Sequence, residues 1–120
     1  MDDDEIILST IMEVFEYLGY EGETARDGKE AIEKYKKRLQ EKKPFDIVIM
    51  DLTVPGGMGG REAIKLLRAI DPKVKALVSS GYSNDPVMAE YERFGFNGLI
   101  AKPYKIEDLA DAIHKALNGK

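Results

Sequence analysis

The amino-acid sequence predicts an α/β fold in which helices cover both faces of a parallel sheet. Amphipathic helical segments alternate along the chain with short apolar segments, an order that is typical of parallel strands joined by right-handed crossovers. One apolar run, Ile47 to Met50, ends abruptly at Asp51 and is followed by a loop rich in proline and glycine. A run of this kind indicates a strand buried on both faces. Asp51 is therefore predicted at the carboxyl end of a central strand, where open α/β sheets form their ligand-binding crevices.

The helical segments have apolar residues three or four positions apart and recognisable ends. The first segment stops at Gly19, and the second begins at Asp27, with Glu30 three residues later as in a capping box. Asp85 before Pro86 is typical of a helix start, because proline is tolerated at the first helical position. We expect helices at Glu5 to Leu18, Asp27 to Leu39, Ala63 to Ile70, Asp85 to Phe94 and Ile106 to Leu117.

Other short segments are predicted to join the central strand in the sheet. Val74 to Ser79 and Asn97 to Ala101 are short apolar runs that follow helical segments. Tyr20 to Ala25 is a weaker and more polar candidate. We place it at an edge of the sheet, where a polar strand is better tolerated.

Composition narrows the class of protein. A chain of 120 residues is long enough for a single packed core, so residues 1–120 are expected to form one domain. The 22 acidic and 18 basic residues give a net charge of -4, which argues against a general attraction to nucleic acid or to anionic membranes. No apolar stretch approaches the roughly 20 residues that span a bilayer, and the acidic start is unlike a signal peptide, so we expect a cytosolic protein without membrane contact.

Polar residues are expected to meet at one edge of the predicted sheet. They are Asp2 and Asp3 before the first helix, Asp51, Ser79-Ser80-Gly81, and Lys102 before Pro103. Three carboxylates suit a hard divalent cation such as Mg²⁺, and a hydroxyl with an ammonium suits the oxygens of a phosphoryl group. Each feature alone fits a solvated terminus, a turn hydroxyl or a surface lysine. Together they indicate a phosphoryl-transfer pocket in which one carboxylate is the nucleophile.

These residues carry a family resemblance. From Met1 to about Leu117 the chain resembles the receiver domains of two-component response regulators, in Asp2-Asp3, Asp51 with Pro55 and Gly60, Ser80-Gly81 and Lys102-Pro103. The segments DLTVPGGMGG, SSGYSND and IAKPY are most similar to receivers of hybrid sensor histidine kinases. The resemblance implies a flavodoxin-like, doubly wound (βα)5 sandwich, in which residues 1–120 are a single receiver domain. The domain would be free-standing or a fragment of a hybrid kinase.

The resemblance also implies roles for single residues. Asp51 would accept a phosphoryl group from a phosphohistidine on a histidine kinase or a histidine phosphotransfer protein. Mg²⁺ would be held by Asp2, Asp3, Asp51 and the backbone carbonyl of Thr53. Ser80 and Lys102 would bind the phosphoryl oxygens, and the Lys102-Pro103 peptide would be cis. The only catalysis implied is the phosphotransfer to Asp51 itself.

The chain departs from the family pattern at its start and on its last strand. Receivers begin with an apolar strand that lies between the strands corresponding to Tyr20 to Ala25 and to Phe45 to Met50, but here only Met1 precedes the acid pair. Either the start is truncated, another segment or chain fills the gap, as in a homodimer with strand exchange, or the two flanking strands pair directly. Leu99 also stands where many receivers carry an aromatic switch residue.

Other functions remain open from the sequence. An aspartyl-phosphate phosphatase of the haloacid dehalogenase type also uses a strand-terminal aspartate and Mg²⁺, although Thr53 stands where that family has a second acid. A flavodoxin-like binding module would use the same crevice without phosphochemistry. The glycines of residues 55–60 do not predict nucleotide binding, because no Gly-Lys-Ser/Thr follows them. His114 is expected to be a solvated helical residue.

Overall fold

The computed structural model of the chain describes residues 1–81 and 85–118. The middle of the SSGYSND segment, residues 82–84, lies outside this part of the chain. The strands are β1 (Val48–Asp51), β2 (Ala76–Ser80) and β3 (Gly98–Ala101). The helices are α1 (Glu5–Leu18), α2 (Gly28–Gln40), α3 (Gly60–Ile70), α4 (Pro86–Ala89) and α5 (Ile106–Leu117), with a 3-10 helix at Tyr91–Phe94.

The strands form a parallel sheet in the order β1-β2-β3. Asp51 of β1 is the register partner of Ser79, and Ser80 of β2 is the partner of Ala101. β2 is buried along its whole length because it lies between the other two strands and beneath helices. The doubly wound α/β class predicted from the alternating pattern is confirmed.

Helices pack on both faces of the sheet, as the near-continuous apolar strands require. On one face, Ile49 and Leu77 belong to a core with residues of α1 and α5. On the opposite face, Met50 and Val78 belong to a core with residues of α2 and α3. Because successive strand residues point to opposite faces, Asp51 continues the face that α1 and α5 cover.

Acidic residues cap three helix starts, at Asp27 and Asp85 as predicted and at Asp4 as well. The Asp4 carboxylate accepts the Ile6 N–H at the start of α1, and the Asp27 carboxylate accepts the Glu30 N–H at the start of α2. The segment after Asp85 differs from the prediction, because α4 ends at Ala89 and the 3-10 helix follows in place of a continuous helix. None of the described helices is long and apolar enough to cross a membrane.

The predicted edge strand at Tyr20 to Ala25 is wrong. The segment has no regular secondary structure, and a cavity of about 540 Å³ separates much of it from β1. Met1 and Asp2 lie between this segment and β1. The Asp2 N–H donates to the Ala25 carbonyl at 3.0 Å, and the main chain of Met1 bonds to β1. The direct pairing of this segment with the central strand, one of the alternatives raised by the sequence, is therefore also wrong. A polar segment without a neighbouring strand has no ladder of hydrogen bonds to hold it extended.

Candidate functional site

Asp51 is the last residue of β1, and only 6% of it is exposed. Burial and the nearby Asp2 carboxylate raise the pKa of Asp51, while the ammonium of Lys102 acts in the opposite direction. Burial and the Asp2 carboxylate thus destabilise the charged form of Asp51. A cation that enters the site would reduce this destabilisation.

Asp2 reaches the site because the main chain of Met1 is bonded to β1. The Met1 amino group donates to the Ile49 carbonyl at 2.6 Å, and the Asp51 N–H donates to the Met1 carbonyl at 2.9 Å. Met1 thus bonds to two β1 residues that are two positions apart, as a residue in a parallel strand does. The pairing extends over this single residue. Burial lowers the pKa of the Met1 amine from 8.0 to about 6. Asp2 is therefore attached to the sheet through a very short segment.

The carboxylates of Asp2, Asp3 and Asp51 form a cluster whose ligand atoms all lie within 4.8 Å of one another. Asp2 and Asp51 are buried and Asp3 is exposed. Within the described residues, Asp2 Oδ2 is enclosed and has no aligned hydrogen-bond donor. An all-oxygen donor set of three carboxylates with one open side fits a hard cation that keeps part of its water shell. The residues present therefore fit Mg²⁺.

Lys102 brings a positive charge to the same cluster from the end of β3. Its Nζ lies 2.7 Å from Asp2 Oδ2 and 3.3 Å from Asp51 Oδ2. Its N–H donates to the Ser80 carbonyl at 3.1 Å, and the Lys102-Pro103 peptide is cis, as predicted. Burial acts to lower the pKa of Lys102, but the bonds to Asp2 and Asp51 outweigh it and the pKa is raised. The side chain is therefore an ammonium at neutral pH.

The two serines of β2 stand in different relations to Asp51. Ser79 is its register partner, and partners in a parallel pair have side chains on the same face of the sheet. Ser80 follows and lies on the alternate face, where it is buried and its carbonyl accepts from Lys102. The Ser79 hydroxyl is hydrogen-bonded to the Tyr104 hydroxyl. The sequence placed Ser79-Ser80-Gly81 at this edge and assigned the phosphoryl contact to Ser80, a role that remains a prediction, whereas the contact between Ser79 and Tyr104 was not predicted.

The glycine-rich loop after β1 permits close packing of α3 over the site. A Cβ added to Gly60 would lie 2.8 Å from the Asp51 carbonyl, which is closer than real Cβ contacts. Thr53, whose carbonyl is a predicted metal ligand, lies in this loop two residues after Asp51 and is exposed. Its role remains a prediction. Leu99 and His114 are exposed on β3 and α5.

The fold and this cluster define the class of protein. Residues 1–114 match the family model described as the response regulator receiver domain, and the chain belongs to that family. It is thus a phosphoacceptor receiver of two-component signalling, a family that generally binds Mg²⁺ at an acidic pocket and interacts with histidine kinases or phosphotransfer proteins. This result disfavours the phosphatase and the flavodoxin-like binding module.

Individual relatives agree with this assignment over nearly their whole length. The chain is 37% identical over 117 residues to the chemotaxis protein CheY of Thermotoga maritima, covering 96% of this chain and 92% of that protein. It is 30% identical to sporulation initiation phosphotransferase F of Bacillus subtilis, covering 98% and 90%. The crystal structure of a CheY-like receiver domain protein from Methanospirillum hungatei has a TM-score of 0.82 at 27% identity, covering 98% and 89%.

Proposed function

We propose that Asp51 is the phosphoacceptor and that it takes its phosphoryl group from a phosphohistidine on a partner. The observation that carries the proposal is the convergence of Asp51 with Asp2, Asp3 and Lys102 at the carboxyl edge of the sheet. In the transfer, an oxygen of Asp51 bonds to phosphorus, the P–N bond of the phosphohistidine breaks, and the imidazole keeps the electron pair. The product is an aspartyl phosphate.

The carboxylates of Asp2, Asp3 and Asp51 would hold Mg²⁺, with the Thr53 carbonyl as a further oxygen ligand. When bound, the ion supplies positive charge that offsets the charge of the phosphoryl oxygens. The acid cluster needs this charge, because a dianionic group cannot settle among three carboxylates without compensation. Asp2 would contribute a buried carboxylate whose Oδ2 lies 2.7 Å from the Lys102 ammonium.

Lys102 and Ser80 would bind the transferred group. The Lys102 ammonium already lies 3.3 Å from Asp51 Oδ2, so a phosphoryl group on Asp51 would form within its reach. Ser80 is retained as a phosphoryl contact from the sequence analysis. Ser79 lies on the acceptor's face of the sheet, but it is fully buried and its hydroxyl is bonded to Tyr104.

The same proposal implies a partner protein that supplies the phosphoryl group. Residues 1–120 would act as one cytoplasmic receiver domain that docks with a histidine kinase or a histidine phosphotransfer protein.

We also propose that a second polypeptide segment can occupy the cavity beside β1, by strand exchange in a homodimer. The cavity of about 540 Å³ and the single-residue ladder of Met1 support this. Light scattering at high protein concentration tests it, and a strictly monomeric species contradicts it.

The central experiment is incubation with acetyl phosphate and MgCl₂, followed by intact-mass measurement. A stoichiometric, acid-labile gain of one phosphate on the wild type, lost in Asp51→Asn, is the expected result. Continuous release of inorganic phosphate without a labelled protein would indicate a phosphatase. Neither product would mean that the acidic cluster does not perform phosphotransfer.

A matched pair of lysine variants tests the role of Lys102. Lys102→Ala should leave Mg²⁺ affinity largely intact, as measured by isothermal titration calorimetry, and should impair phosphorylation. Lys105→Ala removes an exposed lysine three positions away and serves as the control. Equal phosphorylation kinetics for the two variants would contradict the role assigned to Lys102.

A further inference from the structure

The segment of residues 25–28, whose last residue begins α2, touches two parts of the site that are distant in sequence. At one end, the Ala25 carbonyl accepts the Asp2 N–H at 3.0 Å. At the other end, the Gly28 N–H donates at 2.7 Å to the carbonyl of Met58, which lies in the loop after β1. Ala25 and Gly28 are both buried. Segment 25–28 therefore contacts both the N-terminal acid segment and the loop that follows the acceptor strand.

The contact at Gly28 has no room for a side chain. A Cβ added to Gly28 would lie 2.8 Å from Met58 Cγ and 2.8 Å from Ala63 Cβ on α3, both closer than real Cβ contacts. Ala63 is fully buried in the core that α2 and α3 share, so its methyl group has no free space into which it could move. A methyl group at Gly28 would therefore push segment 25–28 away from α3 and from the loop after β1.

Met58 is linked to Thr53, the proposed carbonyl ligand, through its neighbour Gly59. A Cβ added to Gly59 would lie 3.0 Å from Thr53 Cα, and it would also meet the Leu52 carbonyl. The main chain at Gly59 thus lies directly against the main chain of Leu52 and Thr53. A displacement of Met58 would be passed along this contact to the Thr53 carbonyl.

The other end of segment 25–28 acts on the acid cluster. Asp2, whose N–H bonds to Ala25, carries a buried carboxylate of the cluster. Arg26 of the same segment forms an ion pair with Glu5 at the start of α1. Because both side chains of this ion pair are exposed, we expect it to contribute less than the hydrogen bond between the buried residues Asp2 and Ala25. A displacement of segment 25–28 would therefore move Asp2 as well.

We propose that Gly28 is a positioning residue for the Mg²⁺ site. Its lack of a side chain seats segment 25–28 against Met58, and this contact positions the Asp2 carboxylate and the Thr53 carbonyl together. The inference rests on the proposed function and deepens it, because it names a residue outside the acid cluster on which the affinity for Mg²⁺ depends. Gly28 acts through Ala25 and Met58 and is not itself a ligand.

Isothermal titration calorimetry with MgCl₂ on Gly28→Ala tests the inference, and Gly98→Ala is the matched control. A Cβ added to Gly98 would lie 2.8 Å from Leu77 Cδ2, so the control adds a methyl group at a similarly crowded place, but at the amino end of β3. Gly28→Ala should weaken Mg²⁺ binding by about tenfold, as is typical for residues that support metal ligands. Gly98→Ala should bind Mg²⁺ like the wild type. The Tm of each variant in EDTA records its loss of stability.

Wild-type Mg²⁺ affinity in Gly28→Ala overturns the inference. An equal loss of affinity in Gly28→Ala and Gly98→Ala also overturns it, because affinity would then follow a general loss of packing. A wild-type protein that binds no Mg²⁺ overturns the proposed metal site and the inference with it, which is a distinct result.

A milder variant keeps the test available if Gly28→Ala does not fold. A Cβ added to Gly57 would lie 3.3 Å from Asp27 Cβ, so Gly57→Ala presses less strongly on the same contact between segment 25–28 and the loop. This variant should weaken Mg²⁺ binding by a smaller factor. An unchanged affinity in a folded Gly57→Ala protein would contradict the inference.

Discussion

The two sides of β1 differ in how completely their backbone groups are paired. On the side of β2, a continuous parallel ladder runs from Val48 to Asp51, and the paired strands are covered by helices. On the other side, Met1 is the one residue of the described chain whose main chain bonds to β1, and a cavity of about 540 Å³ extends past Ile47 and Ile49. The Val48 N–H donates to the Lys75 carbonyl on the β2 side. Because the backbone groups of successive strand residues point to opposite sides, the N–H and C=O groups of Ile47 and Ile49 point to the cavity side.

This difference divides the site into two halves. Lys102 follows the paired strand β3 and reaches Asp51 from the closed side. Asp2 and Asp3 are held by the short N-terminal segment on the open side, through three main-chain hydrogen bonds of Met1 and Asp2. The phosphoryl half therefore depends on the ladder of the paired strands, whereas the metal half depends on these three main-chain hydrogen bonds. Three experiments break or sharpen this contrast.

The largest effect is expected from two matched leucine deletions. Leu77→Ala removes a fully buried side chain from β2 and should lower the free energy of unfolding by about 2–5 kcal/mol. The Leu8 side chain lines the existing cavity and already lacks neighbours on one side. Leu8→Ala should therefore lower the free energy of unfolding clearly less than Leu77→Ala does. Urea unfolding of both variants measures the difference. Equal losses would mean that the open side is packed as well as the closed side.

An added strand should strengthen the open side. Five apolar residues joined ahead of Met1 would continue its parallel ladder along Ile47 and Ile49 and fill the cavity. We expect Tm to rise by at least about 5 °C, which corresponds to roughly 1 kcal/mol in a domain of this size. An extension of five glycine and serine residues is the control, since it offers the backbone without the apolar side chains. If both extensions give the same Tm, the cavity does not accept a strand.

The smallest effect concerns the charge at the junction of the two halves. The pKa of Asp51 is raised in the folded state, so the folded state binds more protons than the unfolded state and stability falls as pH rises through the folded pKa. Asp51→Asn removes this charge and should raise Tm by a few degrees at pH 7 in EDTA. The gain should shrink below pH 4, where the carboxyl is protonated in both states.

Magnesium provides the check on this prediction. Mg²⁺ binds only the folded cluster and should raise the Tm of the wild type by mass action. Asp51→Asn loses one of the three carboxylates, so its Tm should rise less. A destabilised Asp51→Asn protein in EDTA would show that the ion pair with Lys102 outweighs burial and repulsion at this position.

Local patterns in the sequence were sufficient for most of the fold and for the central residues of the site. Helices α1 and α5 begin and end where their apolar spacing and flanking residues predict, because these signals act within a few residues. Asp51 and Lys102 were identifiable because each follows an apolar run. Parallel strands bring such residues to a common edge whatever the details of packing.

Tertiary structure decided the features that depend on a neighbour distant in sequence. Tyr20 to Ala25 is irregular because a strand needs a paired strand beside it and this segment has none. The residues of the segment do not indicate whether such a partner is present. Ser79 rather than its neighbour lies on the face of Asp51 because register sets which residues share a face, and a shift of one residue reverses it. Tyr104 meets Ser79 only once β2 and β3 have paired.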